Sequence, residues 1–251
     1  DVVLSIISSD TGEATVTSSL TFTSANWDTA QTVTVTGADD DLVDGTVSST
    51  TTISVVDAAS DNNFDAVADQ TVSVSTTDDD VAGFTIAETD GSTTVTEAGG
   101  TDTFTAVLNA QPDSNVTLQI TSSDTGEATA TSLITFTPSN WDTAQTVTVT
   151  GADDDLVDGT VSSTLTVAVK DSVSDNNFDG VADQTVSVST TDDDVAGFTI
   201  TETEGSTAVD ESGTTDTFTI VLDAQPDSDV VLSITSSDTG EATVNSPLTF
   251  T

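Results

Sequence analysis

A repeat of 114 residues constrains this chain more than any other feature of its sequence. The segment SDTGEAT occurs at 9–15, 123–129 and 237–243, and the run NWDTAQTVTVTGADDDLVDGTVSST at 26–50 returns unchanged at 140–164. Near-identical segments at a fixed spacing fold as an array of similar units. We therefore divide the chain by its repeat and not by its overall length.

The boundary of a copy is predicted at the polar run TTDDD, which occurs at 76–80 and 190–194 between a strand pattern and the next apolar segment. With this boundary, residues 82–195 are predicted to be a complete β-sandwich copy. Residues 1–81 are a partial copy without its opening strands, and residues 196–251 are a partial copy without its closing strands. We expect such a chain to be internal to a longer protein.

Strict alternation of apolar residues with Thr or Ser indicates half-buried β-strands. In the complete copy this pattern predicts seven strands, at 84–86, 104–108, 116–120, 134–136, 147–149, 165–169 and 186–188. Turn-rich segments separate them, and no helical periodicity with caps is present. The predicted fold class is all-β: tandem antiparallel Greek-key β-sandwiches of immunoglobulin-like proportions, with about seven strands in each 114-residue repeat.

The charge of the chain excludes several kinds of partner. The chain has 44 Asp and Glu residues against a single basic residue, Lys170, and a formal net charge of -43. Phosphate backbones and anionic membrane surfaces would repel it, so we exclude nucleic acid as a partner. No segment approaches the roughly 18 consecutive apolar residues of a membrane span, so direct membrane insertion is not expected.

The acidic runs are predicted to gather at one end of each sandwich. If each strand reverses direction relative to the last, the first, third, fifth and seventh strands point the same way. The turns that follow them contain Glu97, Asp124, Glu127, Asp153, Asp154, Asp155, Asp158, Asp192, Asp193 and Asp194. Clustered carboxylates repel one another unless a cation lies among them.

Calcium is the cation that these residues fit best. It takes six to eight oxygen ligands with loose geometry, whereas His and Cys, the usual zinc and copper ligands, are absent. A solvated acidic surface is the alternative interpretation of the same runs. The segment DNNFDG at 175–180 has two interpretations: it matches the first half of a calcium loop, and it is also compatible with a plain Asx-rich turn. Trp27 and Trp141, each just before a strand, are predicted to plug the end of a sandwich core.

Four segments together resemble a known family: the Glu97–Gly100 turn, the stretch Leu133–Trp141, the run Gln145–Asp154 and the closing Thr191–Asp194. They are similar to Calx-beta-like repeats of giant bacterial surface adhesins, including the RTX type, and the resemblance spans the whole chain. It implies calcium at one end of the sandwich, at the pole that strand parity indicates.

The implied calcium ligands of the complete copy are Glu97, Asp153, Asp154, Asp192, Asp193 and Asp194, with Asp158 as a later acidic ligand and Asp124 or Glu127 as a further one. The same positions in the partial copies are Asp39, Asp40, Asp78, Asp79, Asp80 and Glu211.

We therefore expect structural extender repeats of a large extracellular adhesin at the cell surface, with adjacent repeats as partners and calcium as the stiffening ion. A calcium-dependent glycan- or protein-binding adhesion module is one alternative. A building block of a sheath, surface layer or filament, associating laterally through calcium, is another. Enzymatic activity is not expected, because carboxylate pairs repeat in every copy and no His, Cys or Arg is present to activate a nucleophile or stabilise an oxyanion.

Overall fold

The computed structural model describes residues 1–251 as strands, turns and short 3-10 helices. The strands of residues 1–81 are β1 (Val2–Ser8), β2 (Ala14–Val16), β3 (Ser19–Phe22), β4 (Val35–Gly37), β5 (Val47–Val55) and β6 (Gln70–Thr76). Those of the central copy are β7 (Phe84–Glu88), β8 (Thr93–Thr96), β9 (Thr101–Leu108), β10 (Val116–Ser122), β11 (Ala128–Ala130), β12 (Leu133–Phe136), β13 (Gln145–Gly151), β14 (Thr160–Val169) and β15 (Gln184–Thr191). The last four are β16 (Phe198–Glu202), β17 (Phe218–Leu222), β18 (Val230–Leu232) and β19 (Leu248–Phe250).

All six helices are single 3-10 turns: Asp57–Ala59, Asn62–Phe64, Thr89–Gly91, Asp171–Val173, Asn176–Phe178 and Thr203–Gly205. None has the length or the apolar composition needed to cross a membrane.

The central copy is a two-sheet sandwich. One sheet has the order β12-β10-β14-β15-β8 and the other the order β11-β13-β9-β7. Alternate residues of each strand point between the sheets, so Phe104, Leu118, Phe136 and Leu165 are completely buried there. The predicted fold class, all-β with tandem sandwiches, is confirmed.

The central copy has nine strands, two more than the alternation pattern predicts. All seven predicted strands are present, and β8 and β11 are additional. The sequence of β8, Thr-Thr-Val-Thr, has one aliphatic residue, and β11 is only three residues long, so neither shows clear periodicity.

The strand β8 depends on a change of sheet by the chain. Asp90 and Gly91 have φ angles of 54° and 80°, and this turn separates β7 in one sheet from β8 in the other. There β8 pairs in parallel with β15, with Val188 opposite Thr93. The end of β8 is therefore brought beside the end of β15.

Residues 1–81 and 196–251 form fewer strand pairs than the central copy and have more exposed apolar side chains. Residues 1–81 form the sheet β3-β1-β5-β6 and the pair β2-β4, while residues 196–251 form only the pairs β16-β17 and β18-β19. Trp141 packs against the central core as predicted. The same prediction is wrong for Trp27, which is 71% exposed, because no strand in the structure packs over it as β7 and β9 pack over the core of the central copy.

Adjacent copies are joined by a short β-bridge. The Val43 N–H donates to the Gln111 carbonyl oxygen at 3.0 Å, and the Gln111 N–H donates to the Asp41 carbonyl oxygen at 2.7 Å. The Asn177 side-chain amide also donates to the Val43 carbonyl oxygen at 2.6 Å.

The second junction repeats the bridge 114 residues later. The Gln225 N–H donates to the Asp155 carbonyl oxygen at 2.6 Å, and Leu156 pairs in parallel with Gln225. We call residues 153–159, which follow β13 and make this bridge, the junction loop.

Candidate metal centre

Side chains from four separate segments meet at one pole of the central sandwich. One group, Glu97, Glu127 and Asp158, has a carboxylate oxygen from each residue within 4.8 Å of the others. A second group, Glu97, Asp154 and Asp194, meets the same limit. Glu97 belongs to both groups, so it lies at the centre of the cluster.

Glu97 is the most unusual residue at this pole. Its side chain is 1% exposed, and neither of its carboxylate oxygens has a hydrogen-bond partner. Glu127 is 7% exposed, and its Oε2 also lacks a partner. Buried polar atoms are nearly always paired in folded proteins. Two buried carboxylates without donors therefore point to a cation between them.

Close backbone packing positions these glutamates. A side chain at Gly151 would collide with the Thr96 carbonyl oxygen, so only glycine lets β13 pass this close to β8. The Gly151 N–H donates to the Gly100 carbonyl oxygen at 2.9 Å, and the Ala152 N–H donates to the Glu127 carbonyl oxygen at 2.8 Å. These contacts start the junction loop beside Glu97 and Glu127.

Asp192 fixes the other end of the junction loop. Its carboxylate accepts the Gly159 N–H at 2.8 Å and the Asp194 N–H at 2.7 Å. These backbone hydrogen bonds lower the pKa of Asp192, so its carboxylate stays charged. Asp192 thus holds the loop against the segment that carries Asp194.

The electrostatics of the cluster oppose full ionisation. Burial, then the charges of Asp192, Asp158, Asp154 and Glu127, raise the pKa of Glu97 to about 7. For Glu127, Asp158 and Asp194, desolvation is likewise the largest cause that raises the pKa, followed by neighbouring carboxylates. Like charges 4.8 Å apart repel by about 3 kcal/mol at an effective dielectric of about 20. The single basic side chain of the protein, Lys170, does not lie in the cluster. The junction loop precedes β14 and Lys170 follows it, so the length of that strand separates them.

The donor set fits calcium. All candidate ligands are carboxylate oxygens, and calcium binds oxygen at about 2.3–2.6 Å. One ion can therefore contact oxygens that lie up to about 5 Å apart, and both groups satisfy this limit. Calcium would supply positive charge to the buried Glu97 and Glu127 oxygens.

The structure brings some of the residues expected from sequence together and leaves others apart. Glu97, Asp154, Asp158 and Asp194 lie in the two groups, whereas Asp153, Asp192 and Asp193 lie in neither. Of the two candidates after β10, Glu127 joins the cluster, while Asp124 accepts the Gly126 N–H within its own turn.

The equivalent acidic residues on either side of the central copy do not form the same cluster. Asp39, Asp40, Asp78, Asp79 and Asp80 line one small concave region near Glu13 and Asp44, but they form no group within ligand distance. Glu211, which corresponds to Glu97, is exposed and belongs to neither group.

The DNNFDG segment at 175–180 forms an Asx turn, one of its two interpretations. Asp175 is 5% exposed, and its carboxylate accepts N–H groups from Asn177 at 2.9 Å and Ser114 at 2.7 Å. It caps the 3-10 helix Asn176–Phe178. The Asp175 carboxylate therefore accepts hydrogen bonds from backbone N–H groups, at the pole opposite the carboxylate cluster.

The raised pKa of Glu97 makes a prediction about pH. Calcium must displace the proton that Glu97 holds below pH 7. The calcium affinity should therefore rise by up to about tenfold per pH unit between pH 5 and 7 and level off above pH 7. Isothermal titration calorimetry at several pH values would measure this. An affinity that is flat from pH 5 to 8 would contradict the assignment of Glu97 as a ligand.

No protein-family model matches the chain, and no curated protein sequence matches it. Among solved structures it is similar to the apo form of the Calx CBD1 domain, with 17% identity and a TM-score of 0.34, over 46% of this chain and 100% of that one. It is similar to CBD12 from CALX1.2 with 19% identity and a TM-score of 0.31, over 51% of each chain. Domains 4 and 5 of the S-layer protein SbsC give 16% identity and a TM-score of 0.33, over 75% of this chain and 70% of that one. These are weak similarities of fold.

Proposed function

We propose that the chain is a structural extender of a large extracellular surface adhesin, in which calcium at the acidic pole of each copy fixes that copy against the next. Its partners in this role are its own neighbouring repeats. It would act by holding another part of the protein at a distance from the cell.

One observation carries this proposal: the junction loop contains both the candidate ligands and the contact with the next copy. Asp154 and Asp158 lie in the carboxylate groups, and the residues between them form the bridge to Gln225. Binding a cation at Asp154 and Asp158 would therefore order the backbone that holds the next copy.

The segment between copies is constrained by the same cluster. Asp194 lies between β15 and β16, so it belongs to the connection that leads into the next copy. A cation held by Glu97, Asp154 and Asp194 would tie this connection to the junction loop. Two attachments at one junction restrict bending far more than a single flexible connection does.

The next copy adds negative charge to the junction. Asp227, in the turn that follows β17, is among the charges that raise the pKa of Asp158. Asp113 does the same for the pKa of Asp44 at the first junction. The junction is therefore repulsive without a cation and becomes attractive when a divalent ion is present.

Calcium should stabilise and extend the chain together. Extracellular calcium modules bind at about 10⁻⁴ to 10⁻³ M, and calcium at a hundred times the dissociation constant adds about 2.7 kcal/mol per site. We expect calcium to raise the melting temperature in calorimetry and to narrow the distribution of maximum dimensions in small-angle X-ray scattering. Magnesium at the same ionic strength is the control. Calorimetric and scattering profiles that do not differ between calcium and chelator would rule out calcium as the stiffening ion.

A further inference from the structure

The DNNFDG turn at 175–180 takes no part in the carboxylate cluster. It lies at the opposite pole of the central sandwich, and a loop of the preceding copy contacts it there. That loop, residues 39–45, has the sequence DDDLVDG, which is identical to the junction loop at 153–159. We call residues 39–45 the first junction loop.

A buried aspartate joins two turns at this pole. Asp175 is 5% exposed, and its carboxylate accepts the Asn177 N–H of its own turn and the Ser114 N–H of the turn that follows β9. Phe178, in the same turn as Asp175, is completely buried in the core. A buried carboxylate that is satisfied by backbone donors from two segments fixes both of them. The two turns therefore form one connected surface.

Both turns contact the first junction loop. The Gln111 N–H donates to the Asp41 carbonyl oxygen at 2.7 Å, and the Val43 N–H donates to the Gln111 carbonyl oxygen at 3.0 Å. The side chain of Gln111 donates from Nε2 to the Pro138 carbonyl oxygen at 3.0 Å, which holds this residue in place. Asn177 donates from Nδ2 to the Val43 carbonyl oxygen at 2.6 Å. Both backbone groups of Val43 are therefore paired with residues of the central copy.

The Asn177 amide has a local alternative that it does not take. In the equivalent turn of the first copy, the Asn63 side-chain amide donates to the Asp61 carboxylate at 2.8 Å. Asp175 stands at the same place in the central copy, yet the Asn177 amide donates to Val43. A carboxylate is the stronger acceptor of the two. The orientation of Asn177 therefore follows from the loop that lies against it and not from the turn alone.

The Val43 side chain adds an apolar contact. It packs against the hydrophobic core of the central copy. Val157 has the same position in the identical junction loop and is 37% exposed. Because the two loops have the same sequence, the difference comes from the surface that each valine meets. Covering an aliphatic side chain in this way stabilises a contact without using charge.

We propose that the two turns at this pole are a docking site for the junction loop of the preceding copy, and that Asn177 is the residue that recognises the loop. The site binds the loop through backbone groups, one neutral amide and one valine. None of these contacts needs a cation, so the docking operates without calcium in a chain of net charge -43. It adds a second kind of attachment to the junction and does not rest on the proposed function.

The docking also gives the array a direction. A junction loop lies at the acidic pole of its own copy and meets the opposite pole of the next one. The second junction repeats the backbone part of the contact, because the Gln225 N–H donates to the Asp155 carbonyl oxygen at 2.6 Å. Two acidic poles placed face to face would repel each other. Neighbouring copies are therefore joined head to tail.

Hydrogen exchange of backbone amides, measured by NMR on the full chain in chelator, tests the docking. Asn177→Ala should speed the exchange of the Val43 and Gln111 amides about threefold, the effect of losing one solvent-accessible hydrogen bond. The amides of β10 and β14 report the opening of the whole sandwich and should keep their wild-type rates. Asn176→Ala changes the exposed neighbour in the same turn and is the matched control, so all these rates should stay at wild type.

A second pair of variants tests the apolar contact. Val43→Ala should speed the exchange of the Gln111 amide about fivefold, because it removes methyl groups that pack on the core. Val157→Ala makes the same change in the identical loop 114 residues later and should leave the Gln111 amide at its wild-type rate. Equal rates in Asn177→Ala and Asn176→Ala would overturn the assignment of Asn177. Val43→Ala that speeds β10 and β14 as much as Gln111 would overturn the docking site.

The chelator separates this proposal from the calcium-dependent one. Val43 and Gln111 amides of the wild type that are protected in chelator support docking without calcium, whereas amides protected only after calcium is added would overturn it. Scattering profiles that calcium leaves unchanged would remove calcium as the stiffening ion and would leave the docking in place.

Discussion

Glu97→Gln is expected to weaken calcium binding to the central copy by about 100-fold, equivalent to about 2.7 kcal/mol. Both carboxylate groups contain Glu97, so an ion bound in either group would be held by its charge. The amide has the same shape, so the fold should be unchanged. Titration calorimetry with calcium measures the loss.

The same substitution should stabilise the calcium-free protein, and only at high pH. Folding raises the pKa of Glu97 to about 7 from its ordinary value of 4.5, chiefly because the side chain is buried. The folded protein therefore holds a proton that the unfolded chain releases, and stability falls as pH rises between these values. In chelator, Glu97→Gln should melt at a higher temperature than wild type at pH 8 and at nearly the same temperature at pH 5.

Glu211→Gln is the matched control. It makes the same chemical change 114 residues later, at an exposed carboxylate outside any ligand group. Neither the calcium affinity nor the melting temperature should change. Calcium affinity of Glu97→Gln equal to that of wild type would remove Glu97 from the site, whatever the control does.

Phe104→Ala is expected to destabilise the central copy by about 3–5 kcal/mol. Phe104 is completely buried in the core between the sheets, and its removal leaves a cavity. Trp141 packs against that core, so in a Trp27→Phe background its fluorescence reports the unfolding of the central copy in urea. The urea concentration at the midpoint of unfolding should fall strongly, while the dependence of the free energy of unfolding on urea concentration should change little.

Phe218→Ala is the equivalent change in the last copy. Phe218 lies on the two-stranded pair β16–β17 and is only partly buried. Its loss should shift the Trp141 transition by less than about 0.5 kcal/mol. Equal shifts from Phe104→Ala and Phe218→Ala would show that the central copy is not the independently packed unit that the structure describes.

The alternation of apolar residues with Thr and Ser was sufficient to predict the seven main strands and the sandwich class. It missed β8 because that strand is made mostly of Thr and is held by its pairing with β15, a contact between residues about 95 positions apart. It also placed Trp27 in a core, because periodicity reports which face of a strand is apolar and not whether another sheet covers that face.

Strand parity likewise predicted which loops share a pole, because alternating strands deliver every second loop to the same end. It could not rank the carboxylates within that pole. Asp153 and Asp154 are adjacent in sequence, yet only Asp154 reaches Glu97 and Asp194, since neighbouring side chains leave a loop in different directions.

By itself the sequence determined that this protein is an acidic array of β-sandwiches, because residue alternation and an exact repeat are local properties of the chain. Only the tertiary structure decided that Glu97 is buried without a partner and that the junction loop joins the carboxylate cluster to the next copy. Burial and contact depend on segments that are distant in sequence, and only folding brings those segments together.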